Sequence, residues 1–85
     1  MAQAVTVEIY STPACGFCKA LKEFLDENDI EYKDYNVAEE SEKLDEMTEM
    51  TDQSGVPVVL FNRSQENEEV IIGFDQARIS ELLSI

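Results

Sequence analysis

The chain has 85 residues, of which 44% are hydrophobic, a composition typical of a folded domain and not of a disordered segment. Nineteen acidic and six basic residues give a formal net charge of −13. Binding to phosphate backbones or anionic membranes depends on clustered Lys and Arg, so neither nucleic acid nor membrane is an expected partner. We expect one domain over residues 1–85, present as a monomer.

The N-terminus lacks the features of a targeting segment. Met1 to Ala4 contains no basic residue, and the apolar stretch from Val5 to Tyr10 is too short for an export signal. No apolar run approaches the length of a membrane span. We therefore expect a cytoplasmic protein, in a compartment that keeps thiols reduced.

The first predicted elements are a strand and a helix. Alternating apolar residues predict a strand over residues 5–10, which Ser11-Thr12-Pro13 ends. Apolar residues at spacings of three and four then predict a helix over residues 15–28, with a stop at Asn28-Asp29. The positions on its apolar face are Phe17, Ala20, Leu21, Phe24 and Leu25.

A second strand and a second helix follow. Residues 30–37 predict the strand, and residues 39–51 predict a helix with acidic residues in its first turn. The apolar stripe of this helix is thin, so one side of it should face solvent. The stripe consists of Leu44, Met47 and Met50.

The last third of the chain predicts two strands and a helix. A turn at Gln53-Ser54-Gly55 precedes a continuous apolar run at residues 58–61, as in a buried strand. A polar loop over residues 62–67 leads to a strand over residues 68–72, which Gly73 ends. The final helix is capped by Asp75 and carries Ile79, Leu82 and Leu83.

The resulting order is β-α-β-α-β-β-α. A strand–helix–strand unit implies a parallel pair, and the short loop between the last two strands implies an antiparallel hairpin. The sequence therefore predicts an α/β fold, with a four-stranded mixed sheet and helices on both faces.

The chemistry-bearing feature is the pair Cys15 and Cys18 at the first strand–helix junction. A disulfide over so short a loop adds little stability, which favours a catalytic over a structural role. At a helix N-terminus, free backbone N–H groups and the dipole favour the thiolate of Cys15, and Lys19 and Lys22 act in the same direction. Cys18 lies one turn deeper. We predict that Cys15 attacks a disulfide and that Cys18 resolves the mixed disulfide.

Other roles for these cysteines are less well supported. A structural zinc site needs four ligands, and the chain offers two cysteines and no histidine. The same lack of histidine excludes a Cys–His hydrolase. Two inert buried cysteines are a third alternative, which the strand–Cys-x-x-Cys–helix context disfavours.

Three segments resemble the motifs of glutaredoxins, in the same order and over nearly the whole chain. They are Ser11-Thr12-Pro13-Ala14-Cys15-Gly16-Phe17-Cys18, Gly55-Val56-Pro57-Val58 and Ile72-Gly73-Phe74-Asp75. The resemblance implies a thioredoxin fold with sheet order 2-1-3-4, a nucleophilic Cys15 and a resolving Cys18. It also implies a substrate groove formed by Thr12, Phe17, Val56, Pro57, Gly73, Phe74 and Asp75.

Three of these groove residues have two interpretations each. Pro57 either follows a cis peptide bond or simply starts a strand, and the resemblance favours the cis bond. Asp75 either caps the last helix or, as in the family, also holds the γ-glutamyl end of glutathione. Phe17 either flanks the ligand or packs into the core.

The chain departs from the glutaredoxin pattern at three places. Gly16 stands where a proline is usual, the lysine that pairs with a glutathione carboxylate is missing, and the glycine pair before the last helix is reduced to Ile72-Gly73. Glutathione is anionic, as is this chain. We therefore expect no tightly bound cofactor, with glutathione as a possible co-substrate only.

The function predicted is that of a dithiol–disulfide oxidoreductase. Its partners would be disulfides in proteins of the peroxiredoxin or ribonucleotide reductase type, with a flavin-dependent reductase or glutathione as electron donor. The alternative is an iron–sulfur carrier, in which Cys15 from each of two chains and two glutathiones bind the cluster. The acidity indicates either adaptation to salt or a docking face for a basic partner.

Overall fold

The computed structural model describes residues 5–53 and 55–85. Within them the chain forms four strands and three helices in the predicted order. These are β1 (Val7–Ser11), α1 (Gly16–Glu27), β2 (Lys33–Asn36), α2 (Ser41–Thr51), β3 (Val58–Phe61), β4 (Glu69–Ile72) and α3 (Gln76–Leu83). None of the helices in these two ranges is long and apolar enough to span a bilayer.

The sheet has the strand order β2-β1-β3-β4, which confirms the prediction. β1 and β2 are parallel, whereas β3 is antiparallel to both of its neighbours. The two central strands, β1 and β3, are buried along their whole length. The chain leaves β1 at one end of the sheet, and α1 begins there.

Helices cover both faces of the sheet, as predicted. On one face, Leu21 and Leu25 of α1 and Ile79 of α3 pack against Ile9 and Val59 of the central strands. On the other face, Met47 is the only fully buried side chain of α2 among the described residues. It packs against Tyr10, Val58 and Leu60, while Leu44 and Met50 are partly buried beside them, as their thin stripe predicts.

The two N-terminal strands are shorter than predicted. β1 starts at Val7, and β2 starts at Lys33. Lys33 is paired with Glu8 of β1. Residues 30–32 lie before the first paired position, so periodicity alone made β2 too long. The predicted turn near residue 54 falls partly on Ser54, which lies outside the described residues. Beside it, the Gly55 N–H donates to Gln53 Oε1 over 2.6 Å.

A polar network joins the sheet to α2. Arg63, in the loop after β3, donates through Nε to both carboxylate oxygens of Glu8, at 3.0 and 2.8 Å. Its Nη2 donates to Tyr10 and Glu46, and Tyr35 donates to Glu8 over 2.6 Å. Burial alone would raise the pKa of Glu8. The hydrogen bonds from Arg63 and Tyr35 together outweigh this effect, so the pKa of Glu8 lies below its ordinary value.

Candidate functional site

Cys15 lies at the junction between β1 and α1. β1 ends at Ser11, and a turn follows in which the Cys15 N–H donates to the Thr12 carbonyl over 3.2 Å. Cys15 is the N-cap of α1, and its Sγ accepts a hydrogen bond of 3.1 Å from the Cys18 N–H. One N–H at the start of the helix is thus directed at the sulfur, as the motif predicts.

Cys18 lies one turn further and is buried, with 1% of its surface exposed, whereas Cys15 is half-buried. Both thiols are free. Burial raises the pKa of the Cys18 thiol to about 12, and the hydrogen bond and charge of Cys15 act in the same direction. A backbone hydrogen bond from Thr12 and the charge of Lys22 lower it in part. The two sulfurs therefore differ in access, as predicted.

The segment before β3 lies beside the sulfur of Cys15. The peptide bond between Val56 and Pro57 is cis, as the motif resemblance implies. Cys15 Sγ lies 3.9 Å from the Val56 carbonyl oxygen. Pro57 is fully buried, whereas Val56 is half-buried, so the backbone of Val56 is on the rim of the site.

The end of β4 continues this rim. The Gly73 N–H donates to the Pro57 carbonyl over 2.8 Å, and Gly73 has a φ of +87°, which favours glycine. The ring of Phe74 is partly buried and packs against the core. Its centroid lies 5.8 Å from the ring centroid of Phe24.

Asp75 caps α3, as predicted. Its carboxylate accepts from the Arg78 N–H over 3.2 Å and is exposed to solvent. Its contact with a ligand stays a prediction, as do the ligand contacts of the other groove residues.

Two large apolar side chains within the glutaredoxin-like motif segments are exposed. Phe17 is 72% exposed, so it does not pack into the core although its helical spacing fits the buried face. Ile72, the last residue of β4, is 56% exposed and was not predicted to belong to the site. The sequence signal for Ile72 was its position in place of the first glycine of the usual pair.

Cys15 also lines a small cavity of about 290 Å³. Lys22 donates to Asp34 over 2.9 Å, so its charge is partly compensated. The cavity is lined by Thr12, Pro13, Cys15, Lys19, Lys22, Glu23 and Asp26. It thus combines cations and carboxylates beside the sulfur.

Across residues 5–53 and 55–85, no three His, Cys, Asp or Glu side chains are grouped so that they would hold a metal ion. Within this part of the chain, the two free thiols share one site. The arrangement is suited to sulfur chemistry.

Comparison with known proteins agrees with this geometry. The family model described as Glutaredoxin matches residues 7–65. An uncharacterized glutaredoxin-like 8.6 kDa protein from the rubredoxin operon of Clostridium pasteurianum is 39% identical over 77 residues, which cover 91% of this chain and 96% of that protein. The global transcriptional regulator Spx of Listeria innocua is 27% identical over 81 residues, or 93% of this chain but 62% of the regulator.

Solved structures agree on the fold. The crystal structure of a mutant of the thioredoxin-like protein BC3987 superimposes with a TM-score of 0.83 and 28% identity, over 94% of this chain and 96% of that one. The match of the family model and the relative from Clostridium pasteurianum both cover most of the chain. The chain is therefore a member of the glutaredoxin family.

Proposed function

We propose that this chain is a dithiol–disulfide oxidoreductase that reduces disulfides in other proteins. The observation that carries the proposal is the asymmetry of the cysteine pair. Cys15 is half-buried and accepts a hydrogen bond from the helix N-terminus, whereas Cys18 is buried one turn behind it. The first is suited to attack a substrate, and the second is protected from one.

In the first step, the Cys15 thiolate attacks one sulfur of the substrate disulfide. The substrate S–S bond breaks, a bond forms between Cys15 and that sulfur, and the other substrate sulfur leaves as a thiolate that takes up a proton. The N–H of Cys18, 3.1 Å from Cys15 Sγ, stabilises the negative charge before attack.

In the second step, Cys18 loses its proton and attacks Cys15. The mixed disulfide breaks, the second substrate thiolate leaves, and an internal disulfide forms between the two cysteines. The substrate has then gained two electrons and two protons, and the protein has lost them. An external dithiol reductant restores the two thiols.

The backbone of Val56, a half-buried residue on the rim of the site, gives the substrate a place to bind. Because its carbonyl lies 3.9 Å from Cys15 Sγ, an extended peptide paired with Val56 has its own disulfide close to the nucleophile. Phe17 and Asp75 are both exposed and would form the borders of this groove. Phe74 would contact the substrate only through the part of its ring that is not buried in the core.

The net charge of −13 favours protein partners over glutathione. We propose protein disulfides of the peroxiredoxin or ribonucleotide reductase type as acceptors. A flavin-dependent reductase is the favoured donor, with glutathione as a slower one, in the reducing conditions of the cytoplasm. Repulsion between like charges lowers the affinity for an anionic tripeptide.

The test is turnover of a peptide disulfide by the wild type, Cys15→Ser and Cys18→Ser. Each protein is supplied either with NADPH and a thioredoxin-type reductase or with NADPH, glutathione and glutathione reductase, and NADPH consumption is followed. We expect turnover by the wild type, faster with the flavin-dependent reductase, and none by Cys15→Ser. Turnover by Cys15→Ser at the wild-type rate contradicts the proposal.

A further inference from the structure

Three large apolar side chains are markedly exposed among residues 5–53 and 55–85. They are Phe17 at 72%, Ile72 at 56% and Ile85 at 46%. Ile85 follows α3, whereas Phe17 lies between the two cysteines in the sequence and Ile72 precedes Gly73, whose N–H pairs with Pro57. An exposed apolar side chain that is connected to a reactive site is a candidate contact for a substrate.

The position of Ile72 follows from backbone pairing. Ile72 is the register partner of Val58, and the next residue, Gly73, donates to the Pro57 carbonyl over 2.8 Å. The residue before Pro57 is Val56, whose carbonyl oxygen is 3.9 Å from Cys15 Sγ. A short series of contacts therefore joins Ile72 to the nucleophile.

The side chain of Ile72 extends from the sheet face that α2 covers. Neighbouring residues in a strand point to opposite faces, and Ile71 is buried in the core beneath α1 and α3. Val58 and Val70 belong to the core on the α2 side. Ile72 shares their face but lies at the end of the edge strand β4, where it stays uncovered.

We propose that Ile72 determines substrate specificity, as an apolar subsite for an extended segment of a protein that carries the substrate disulfide. This inference rests on the proposed function. The Cα step across the cis bond from Val56 to Pro57 spans about 2.9 Å, the next step about 3.8 Å, and the cross-strand distance is about 5 Å. With the carbonyl group of Val56 and its 3.9 Å contact with Cys15 Sγ, these lengths place the Cα of Ile72 within roughly 18 Å of the sulfur. At about 3.3 Å per residue, the bound apolar side chain is within about five residues of the substrate cysteine.

The charge of the chain indicates which occupant this subsite takes. Glutathione has two free carboxylates and no apolar side chain, so Ile72 offers it no contact, and the net charge of −13 repels it. An uncharged or basic polypeptide segment with a leucine-type residue near its cysteine can contact Ile72 and is not repelled by the negative charge of the chain. A second copy of this chain has the same negative charge and is disfavoured for the same reason.

The experiment uses peptides with one cysteine, held as the mixed disulfide with 2-mercaptoethanol. In one set a leucine is placed at each position within reach of Ile72, and in the matched set a serine replaces it. The protein is reduced beforehand and freed of reductant. One turnover converts its two thiols to a disulfide and releases the peptide thiol and mercaptoethanol, measured after acid quenching.

We expect the wild type to reduce the best leucine peptide about fivefold faster than its serine counterpart, from partial burial of a half-exposed isoleucine. Ile72→Ser should bring this ratio close to one, and Ile72→Leu should retain it. Ile85→Ser, the control for loss of an exposed isoleucine, should keep both the rates and the ratio. Circular dichroism checks that each variant is folded.

Several outcomes overturn the proposal. If the ratio of the reduction rates of the leucine and serine peptides is unchanged in Ile72→Ser, Ile72 is not a subsite, while the reductase function stands. Faster reduction of glutathione disulfide than of any peptide removes the polypeptide occupant, and a wild-type dimer that Ile72→Ser dissociates assigns the patch to a second copy. Failure of the wild type to reduce any of these disulfides refutes the proposed function itself.

Discussion

The burial of Cys18 predicts that release of the substrate is a strongly pH-sensitive step. Only the thiolate of Cys18 attacks the mixed disulfide, and burial, together with Cys15, raises its pKa to about 12 in the dithiol state. Below that pKa, the thiolate fraction rises tenfold for each pH unit. The second step should therefore accelerate with pH.

The size of the effect follows from the causes of the shift. At pH 7, a thiol with a pKa of about 12 is ionised in only about one molecule in 10⁵. Once Cys15 is held in a mixed disulfide, it is neutral and no longer raises the pKa of Cys18, while burial still does. Burial therefore keeps the thiolate a minor form, and we expect the rate of the resolving step to rise with pH between about pH 6 and 8.5.

The assay separates the two steps. Reduced protein is mixed with an excess of a peptide disulfide and quenched with acid at successive times, and mass spectrometry measures the mixed disulfide and the oxidised protein. The rate of conversion of the first into the second is the rate of the resolving step. We expect it to increase by close to tenfold per pH unit.

A variant tests the cause. The charge of Lys22 lowers the pKa of Cys18, so Lys22→Met should slow the resolving step at fixed pH, by no more than about threefold because the ammonium is partly exposed and screened. Lys33→Met is the matched control, since Lys33 is not among the groups that shift Cys18. A resolving rate that is independent of pH across this range would show that ionisation of Cys18 does not limit this step.

Three further predictions concern stability and metal binding. Arg63→Met leaves the carboxylate of Glu8 buried without its cation, and since Arg63 is 37% exposed we expect a loss of about 2 kcal/mol, seen as a decrease of about 10 °C in Tm. Because the pKa of Glu8 is lowered in the fold, the wild type should lose this stability as the pH decreases below about 4.5, and a variant with the same acid sensitivity as the wild type contradicts the assignment. Gly73→Ala places a Cβ at a φ of +87° with no atom within 4 Å, so a conformational cost of about 1 kcal/mol should appear in urea unfolding, whereas Gly16→Ala, in a helix, should be neutral or stabilising. Anaerobic reconstitution with iron, sulfide and glutathione should leave the protein colourless, because a chain with a net charge of −13 binds only weakly the two anionic glutathiones that would complete the four thiolate ligands, and a coloured dimer would favour the iron–sulfur carrier.

The sequence predicted the elements best where local pattern and burial agree. β3 has the predicted bounds, because Val58–Phe61 is a continuous apolar run with a proline before it and a polar loop after it. The position of Cys15 as N-cap followed from a strand that ends at a proline and a helix that begins after it. In both places, the residues that determine the structure are adjacent in the sequence.

Features that depend on distant residues were not predictable from periodicity. Phe17 fits the apolar face of α1 but lies in its first turn, where nothing covers it. Ile72 follows two other apolar residues, so the pattern of β4 does not show which one is exposed. The ion pair of Glu8 with Arg63 joins positions 55 residues apart, which only the register of the central strands brings together.

In the proposed mechanism, Cys15 attacks the substrate disulfide and Cys18 resolves the mixed disulfide. The most direct test is to mix reduced Cys18→Ser with a peptide disulfide and map the adduct by mass spectrometry after digestion at acidic pH. We expect one peptide per chain, attached to Cys15 and stable until a reductant is added. No adduct in Cys18→Ser, together with a stable adduct on Cys18 in Cys15→Ser, would contradict it.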